Sequence, residues 1–207
     1  MSDPGIVRLR NAVTDADRVS GPSNAPVTFL EYGNFECVDC GRAYPAIKQA
    51  QRLLGDNLRF VFRHFPTVAT HPHALRAAEA AEAARSQKKF WQMHDELFTH
   101  QQALEDRNLS HYAARIGLYL PQFERDLAEH VFLEQIESEY KLALYDEHVT
   151  GTPTIYINEV RYTGARDVES LMLAIKAADT EGRIDLPANN RAFKKLLGRF
   201  SRSAGNL

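Results

Sequence analysis

The chain holds two cysteines, three positions apart, in Glu36-Cys37-Val38-Asp39-Cys40. The run before them, Val27-Thr28-Phe29-Leu30-Glu31-Tyr32, is apolar and β-prone. The run after them reads as a helix over 38–54, with Ala43, Ile47, Ala50 and Leu54 on one face. A Cys-x-x-Cys at a strand-to-helix junction suits thiol–disulfide exchange. The unpaired N–H groups and the dipole of the first helical turn stabilise a thiolate on the first cysteine. The second stands one turn further on, within reach of a mixed disulfide formed on the first. Cys37 is therefore expected to be the exposed, reactive thiol and Cys40 the shielded one.

The same pair could be half of a structural zinc site, but zinc needs four ligands. There is no third cysteine, and the only close histidine pair, His71-Pro72-His73, does not have finger spacing. No metal site is expected. A disulfide closing so short a loop removes little chain entropy, so it is a poor staple and a good redox switch.

Of the 207 residues, 44% are hydrophobic and 25% charged, the balance of a globular protein. A net charge of −2 gives no general case for nucleic-acid binding. No apolar run approaches the roughly 20 residues of a membrane span, so membrane association is not expected. The opening residues 1–10 lack a basic segment followed by an apolar one. That start, and the absence of spare cysteines, point to a cytoplasmic address.

Residues 1–24 read as an arm rich in turn and charge signals. A second strand is expected over 58–64, where Leu58, Phe60 and Phe62 alternate. Strand, helix and strand of these lengths suggest a βαβ unit with parallel strands. Helices are expected over 73–85, where alanine dominates and Arg76, Glu79, Glu82 and Arg85 have pairing spacing. Others are expected over 88–100, near 109–116, over 121–129 and over 131–147. Their aromatic stripes suit core packing, and a peptide-binding groove is the other reading. Strands return at 154–157 and 160–162 around a two-residue turn, Asn158-Glu159, and a helix follows at 167–178.

Together these motifs resemble the DsbA-like thioredoxin-fold oxidoreductases, from about Pro26 to Ala178. The resemblance rests on Cys37-Val38-Asp39-Cys40, on Pro45, on a helical insertion of roughly 80 residues between the two halves, and on Thr150-Gly151-Thr152-Pro153-Thr154 before a strand. Phe62-Arg63-His64-Phe65-Pro66, His71-Pro72-His73-Ala74 and Phe90-Trp91 are also similar to this family. It implies an α/β thioredoxin fold with the insertion between its βαβ and ββα halves. The thioredoxin-like domain would comprise 25–66 and 150–180, the insertion 67–149 and a C-terminal tail 181–207. It further implies that Cys37 is the nucleophile, Cys40 the resolving thiol and Pro153 a cis proline facing them. Thr152 would offer its backbone to a substrate strand, and Glu31 would be a buried acid relaying protons to the resolving thiol.

Asp39 departs from the pattern. The strongly oxidising members carry histidine before the second cysteine, and an acid there disfavours the thiolate, with Glu36 adding to it. A weaker oxidant is expected. In the tail, Phe193, Leu196, Leu197 and Phe200 form a helical stripe among basic residues. It would dock on the protein's own body or on a second copy, making a homodimer, or meet a membrane surface.

The expected function is exchange of disulfides with protein or small-molecule thiols, with a redox recycling partner. No metal or organic cofactor is needed, and glutathione is a candidate co-substrate. Two alternatives stay open: a glutathione-dependent transferase or isomerase on the same fold, and a non-catalytic chaperone or adaptor.

Overall fold

A computed structural model describes residues 6–186. Its sheet contains β1 (Arg18–Ser20), β2 (Val27–Gly33), β3 (Leu58–His64), β4 (Thr154–Ile157) and β5 (Val160–Tyr162), in the spatial order β1-β3-β2-β4-β5. β2 runs parallel to β3, and the other pairings are antiparallel. Helix α1 (Val38–Leu54) connects β2 to β3 with Pro45 inside it, and α7 (Val168–Ala178) follows β5. Between the halves lie α2 (Ala74–Ser86), α3 (Phe90–Thr99), α4 (Asp106–Arg115), α5 (Leu120–Ala128) and α6 (Leu133–Tyr145). This is the thioredoxin fold with a helical insertion.

β2 and β3 are apolar almost throughout because both faces of the sheet are covered. Phe29, Phe60, Phe62, Ile155 and Ile157 join the larger core with residues of α1, α2, α3 and α7. Leu30, Tyr32, Val61 and Tyr156 point the other way, onto Phe65, Ala143 and Val149. The alanines of α2 are almost fully buried, which lets neighbouring helices approach closely.

Burial on α2 extends to Glu79 and Glu82, which periodicity alone would place in solvent. Glu82 Oε1 accepts from Arg18 Nε at 2.7 Å and lies 3.0 Å from His64 Nε2. Its other oxygen faces Arg85 Nη1 at 3.2 Å. Arg18 Nη1 also donates to Glu139 of α6 at 2.5 Å.

Two stretches of the arm expected over 1–24 pair with the sheet among the described residues. Arg18–Ser20 pair with Phe60–Phe62, and Arg8 bridges to Val160 of β5. Leu9 N donates to Glu159 O at 2.7 Å, and Arg161 N donates to Val7 O at 2.9 Å. Asn158 and Glu159 both have positive φ, 44° and 67°. Asn158 holds that turn, accepting from Thr28 N at 2.8 Å and donating to Ala178 O at 2.9 Å. The helix expected near 189–201 lies outside the described residues. Among those residues, no helix is long and apolar enough to cross a membrane.

Candidate active site

The parallel β2–α1 junction puts Cys37 at the N-cap of α1, in extended conformation (φ −74°, ψ 122°). Cys37 N donates to Asn34 O at 3.1 Å, and its carbonyl accepts from Gly41 N at 3.0 Å. The antiparallel β2–β4 pairing then brings the loop before β4 against the thiol. Cys37 Sγ lies 3.3 Å from Thr152 O, and the Thr152–Pro153 peptide bond is cis. Neither cysteine is in a disulfide. Cys40 is fully buried, as its inward helical position requires, and Cys37 keeps only 8% exposure. Cys37, expected to be the exposed thiol, is thus more covered than expected.

The two thiols are electrostatically unlike. The Cys37 thiol is pushed down to about 5, first by a hydrogen bond from Cys40. The Thr152 side chain and the N–H groups of Cys40 and Asp39 reinforce this, against partial burial. Burial pushes Cys40 well up, with the Cys37 contact and the Glu31 charge adding to it. A thiolate at Cys37 beside a protonated Cys40 is the arrangement that attack followed by resolution requires.

Glu31 is fully enclosed beneath the pair, and its Oε1 has no hydrogen-bond partner among the described residues. Burial, then the nearby Cys37 charge, raises its carboxyl to about 8, while Arg166 opposes this. A carboxyl near neutrality can both accept and return a proton. An acid held above its ordinary 4.5 destabilises the fold as pH climbs from that value toward 8. Glu31→Gln should therefore raise stability at pH 7 by roughly 3 kcal/mol, the integral over that interval, and change little at pH 4. Urea unfolding at both pH values checks this, and an equal effect at both would mean that Glu31 is ionised inside the fold.

Asp39 lies at the surface, its side chain 57% exposed, and pairs with Arg42 at 3.1 Å. Solvent and that guanidinium screen its charge from the thiol. The Glu36 carboxylate, one residue before Cys37, meets His73 of the insertion. The structure therefore gathers Cys37, Cys40, Thr152, Pro153 and Glu31 at one point and sets Glu36 and Asp39 around its rim.

Two further residues reach the site without a sequence signal. Gln101 Nε2 donates to Phe35 O at 2.7 Å and to Cys37 O at 2.9 Å. A Cβ at position 41 would meet the Gln101 carboxamide, which would have to shift. Arg166 Nη2 donates to Pro153 O at 3.2 Å. No group of three or more His, Cys, Asp or Glu among the described residues could hold a metal.

A Cys-x-x-Cys at the head of the first helix, facing a cis proline across the central strand, defines a thioredoxin-type site. The chain belongs to the thioredoxin family, whose profile matches residues 13–177. It is similar to alpha-DsbA1 of Wolbachia pipientis, with a TM-score of 0.69 and 20% identity, covering 82% of this chain and 94% of that one. A thioredoxin-like oxidoreductase from Silicibacter pomeroyi has a TM-score of 0.69 at 25% identity, covering 80% and 93%. Among curated proteins, the chain is 44% identical over 177 residues to the Na(+)/H(+) antiporter NhaA 1 of Salinispora arenicola. That match covers 84% of this chain and 26% of the antiporter, so the chain spans about a quarter of this relative's length.

Proposed function

We propose that this chain is a thiol–disulfide oxidoreductase acting on protein or small-molecule thiols through Cys37 and Cys40. The observation that carries the reading is Cys37 at the N-cap of α1, its Sγ 3.3 Å from Thr152 O before the cis Pro153, with Cys40 fully buried one turn on. Cys37 thiolate attacks a substrate sulfur, the substrate thiolate leaves, and Cys40 displaces the second. Glu31 takes the Cys40 proton as it does so. The reverse sequence donates a disulfide. Thr152 offers its backbone to the substrate strand, and glutathione or a second thiol protein recycles the pair. The small number of cysteines favours a reducing compartment such as the cytoplasm.

Oxidant strength follows the stability of the thiolate. A Cys37 near 5 falls between thioredoxin, near 7, and the strongly oxidising DsbA, near 3.5. The potential should lie between about −270 and −120 mV, the values of those two proteins. Equilibration with glutathione buffers, read by alkylation and mass, tests the reading. A potential more negative than thioredoxin's would leave the low Cys37 thiol without redox consequence. Failure to cycle at all would favour a non-catalytic adaptor.

The antiporter relatives favour a second, partner-level reading: a module of this kind works beside a Na(+)/H(+) exchanger. Antiport in vesicles with the pair oxidised and then reduced decides it, because equal rates would remove the coupling.

A further inference from the structure

The His71-Pro72-His73 segment has no part in the exchange chemistry above. Yet the loop that carries it grips the turn leading into Cys37 at two points. At the first, His71 Nδ1 lies 2.8 Å from Thr67 Oγ1, which accepts from Asn34 Nδ2 at 3.1 Å. Asn34 in turn accepts from Glu36 N at 2.9 Å and from Cys37 N at 3.1 Å. At the second, the Glu36 carboxylate accepts from His73 N at 2.7 Å, and its other oxygen lies 2.8 Å from His73 Nδ1.

The charges around this contact are few. His73 faces Glu36 from the Cys37 turn, and Glu105 and Asp106 from the start of α4. Asp106 is itself held by Arg76, with two contacts of 2.9 Å. The Cys37 sulfur faces Cys40 and Glu31, with Asp39 and Arg42 paired at the surface. The Glu36 hydrogen bond is the largest influence on His73 and pushes its imidazole up from the ordinary 6.5, against slight burial. Glu36 directly precedes the nucleophile, and its side chain is only 18% exposed, so its charge is incompletely screened.

We propose that His73 is a positioning residue for the nucleophile: its protonated ring holds Glu36 and cancels that charge beside Cys37, so reduction of the pair and protonation of His73 favour one another. This rests on the Cys37–Cys40 pair being redox-active. When a substrate dithiol reduces the disulfide, two electrons pass to the pair. One of the dithiol's protons ends on Cys40, and the other leaves to solvent. The new negative charge on Cys37 then strengthens the hold on the His73 proton. By linkage the pair becomes a weaker oxidant as His73 loses that proton, so the potential falls more steeply with pH across the His73 titration.

The test is a histidine ring titration by NMR on the full chain, in the disulfide and dithiol forms, with His73 resonances assigned through His73→Gln. The His73 midpoint should be higher in the dithiol form by about half a pH unit, the shift expected from a unit charge nearby but partly solvated. Glu36→Gln should lower the midpoint in both forms and shrink the difference. Equal midpoints in the two forms of the unmodified chain, with the pair cycling normally, would overturn this inference and leave the oxidoreductase reading intact. A pair that cannot be cycled between disulfide and dithiol would overturn both.

Discussion

Cys37→Ser should lower thiol–disulfide exchange at least about a thousandfold, because a serine hydroxyl at neutral pH is no substitute for a thiolate. The fold should be unaffected. Cys37 is the N-cap of α1 and makes no side-chain capping bond, and serine is a favoured residue at such a position. Cys40→Ser should behave differently: attack would still occur, resolution would not, and a mixed disulfide through Cys37 would accumulate. Insulin reduction, with trapping by a peptide disulfide and mass analysis, reads both variants. In the unmodified reduced chain, limiting iodoacetamide at pH 6 should label Cys37 before Cys40. Labelling in the opposite order, or exchange surviving Cys37→Ser, would reverse the assignment of nucleophile and resolving thiol.

The second large effect is structural. Glu82→Ala should cost about 3–5 kcal/mol, the range for breaking a buried ion pair on one side only. Glu82 is 1% exposed and receives Arg18, His64 and Arg85 at once. Its removal leaves Arg18 buried with only the Glu139 contact. Replacing both partners, Arg18→Met with Glu82→Leu, should recover much of the loss. The hydrogen bond and charge of His64, with those of Arg18, hold the Glu82 carboxyl far below its ordinary 4.5 despite burial. Its contribution is therefore complete above about pH 4.5 and is lost progressively below it. Urea unfolding at pH 7 and pH 3.5 checks both points. A loss under about 1 kcal/mol at pH 7 would mean that the buried network is solvated.

The elements whose core-facing residues recur at helical or strand spacing were legible in the sequence. Residues 38–54 and 58–64 form a helix and a strand with those bounds, because Ala43, Ile47 and Leu54, and Leu58, Phe60 and Phe62, face the core. β1 was not legible. Three residues, Arg18-Val19-Ser20, carry no pattern of their own, and their conformation comes from pairing with β3. The same limit applies at the site. The two cysteines and Pro153 stand out by type and spacing. Gln101 and Arg166 act through hydrogen bonds to backbone carbonyls from distant parts of the chain. Asp39 and Glu36 were visible as charges near the pair, but nothing in their spacing reveals that Arg42 and His73 are their partners.

One N-terminal segment reaches both ends of the sheet: Arg18–Ser20 form its edge strand along β3, and residues 7–9 lie along β5. An open sheet edge is a template for pairing with other chains and for aggregation. Here Glu159 O and Arg161 N at the β5 margin are already engaged by Leu9 and Val7, and the opposite edge strand is only three residues long, Arg18–Ser20. If the proposed exchange operates, a client strand pairs instead at the short loop of Thr152, whose carbonyl lies 3.3 Å from Cys37 Sγ.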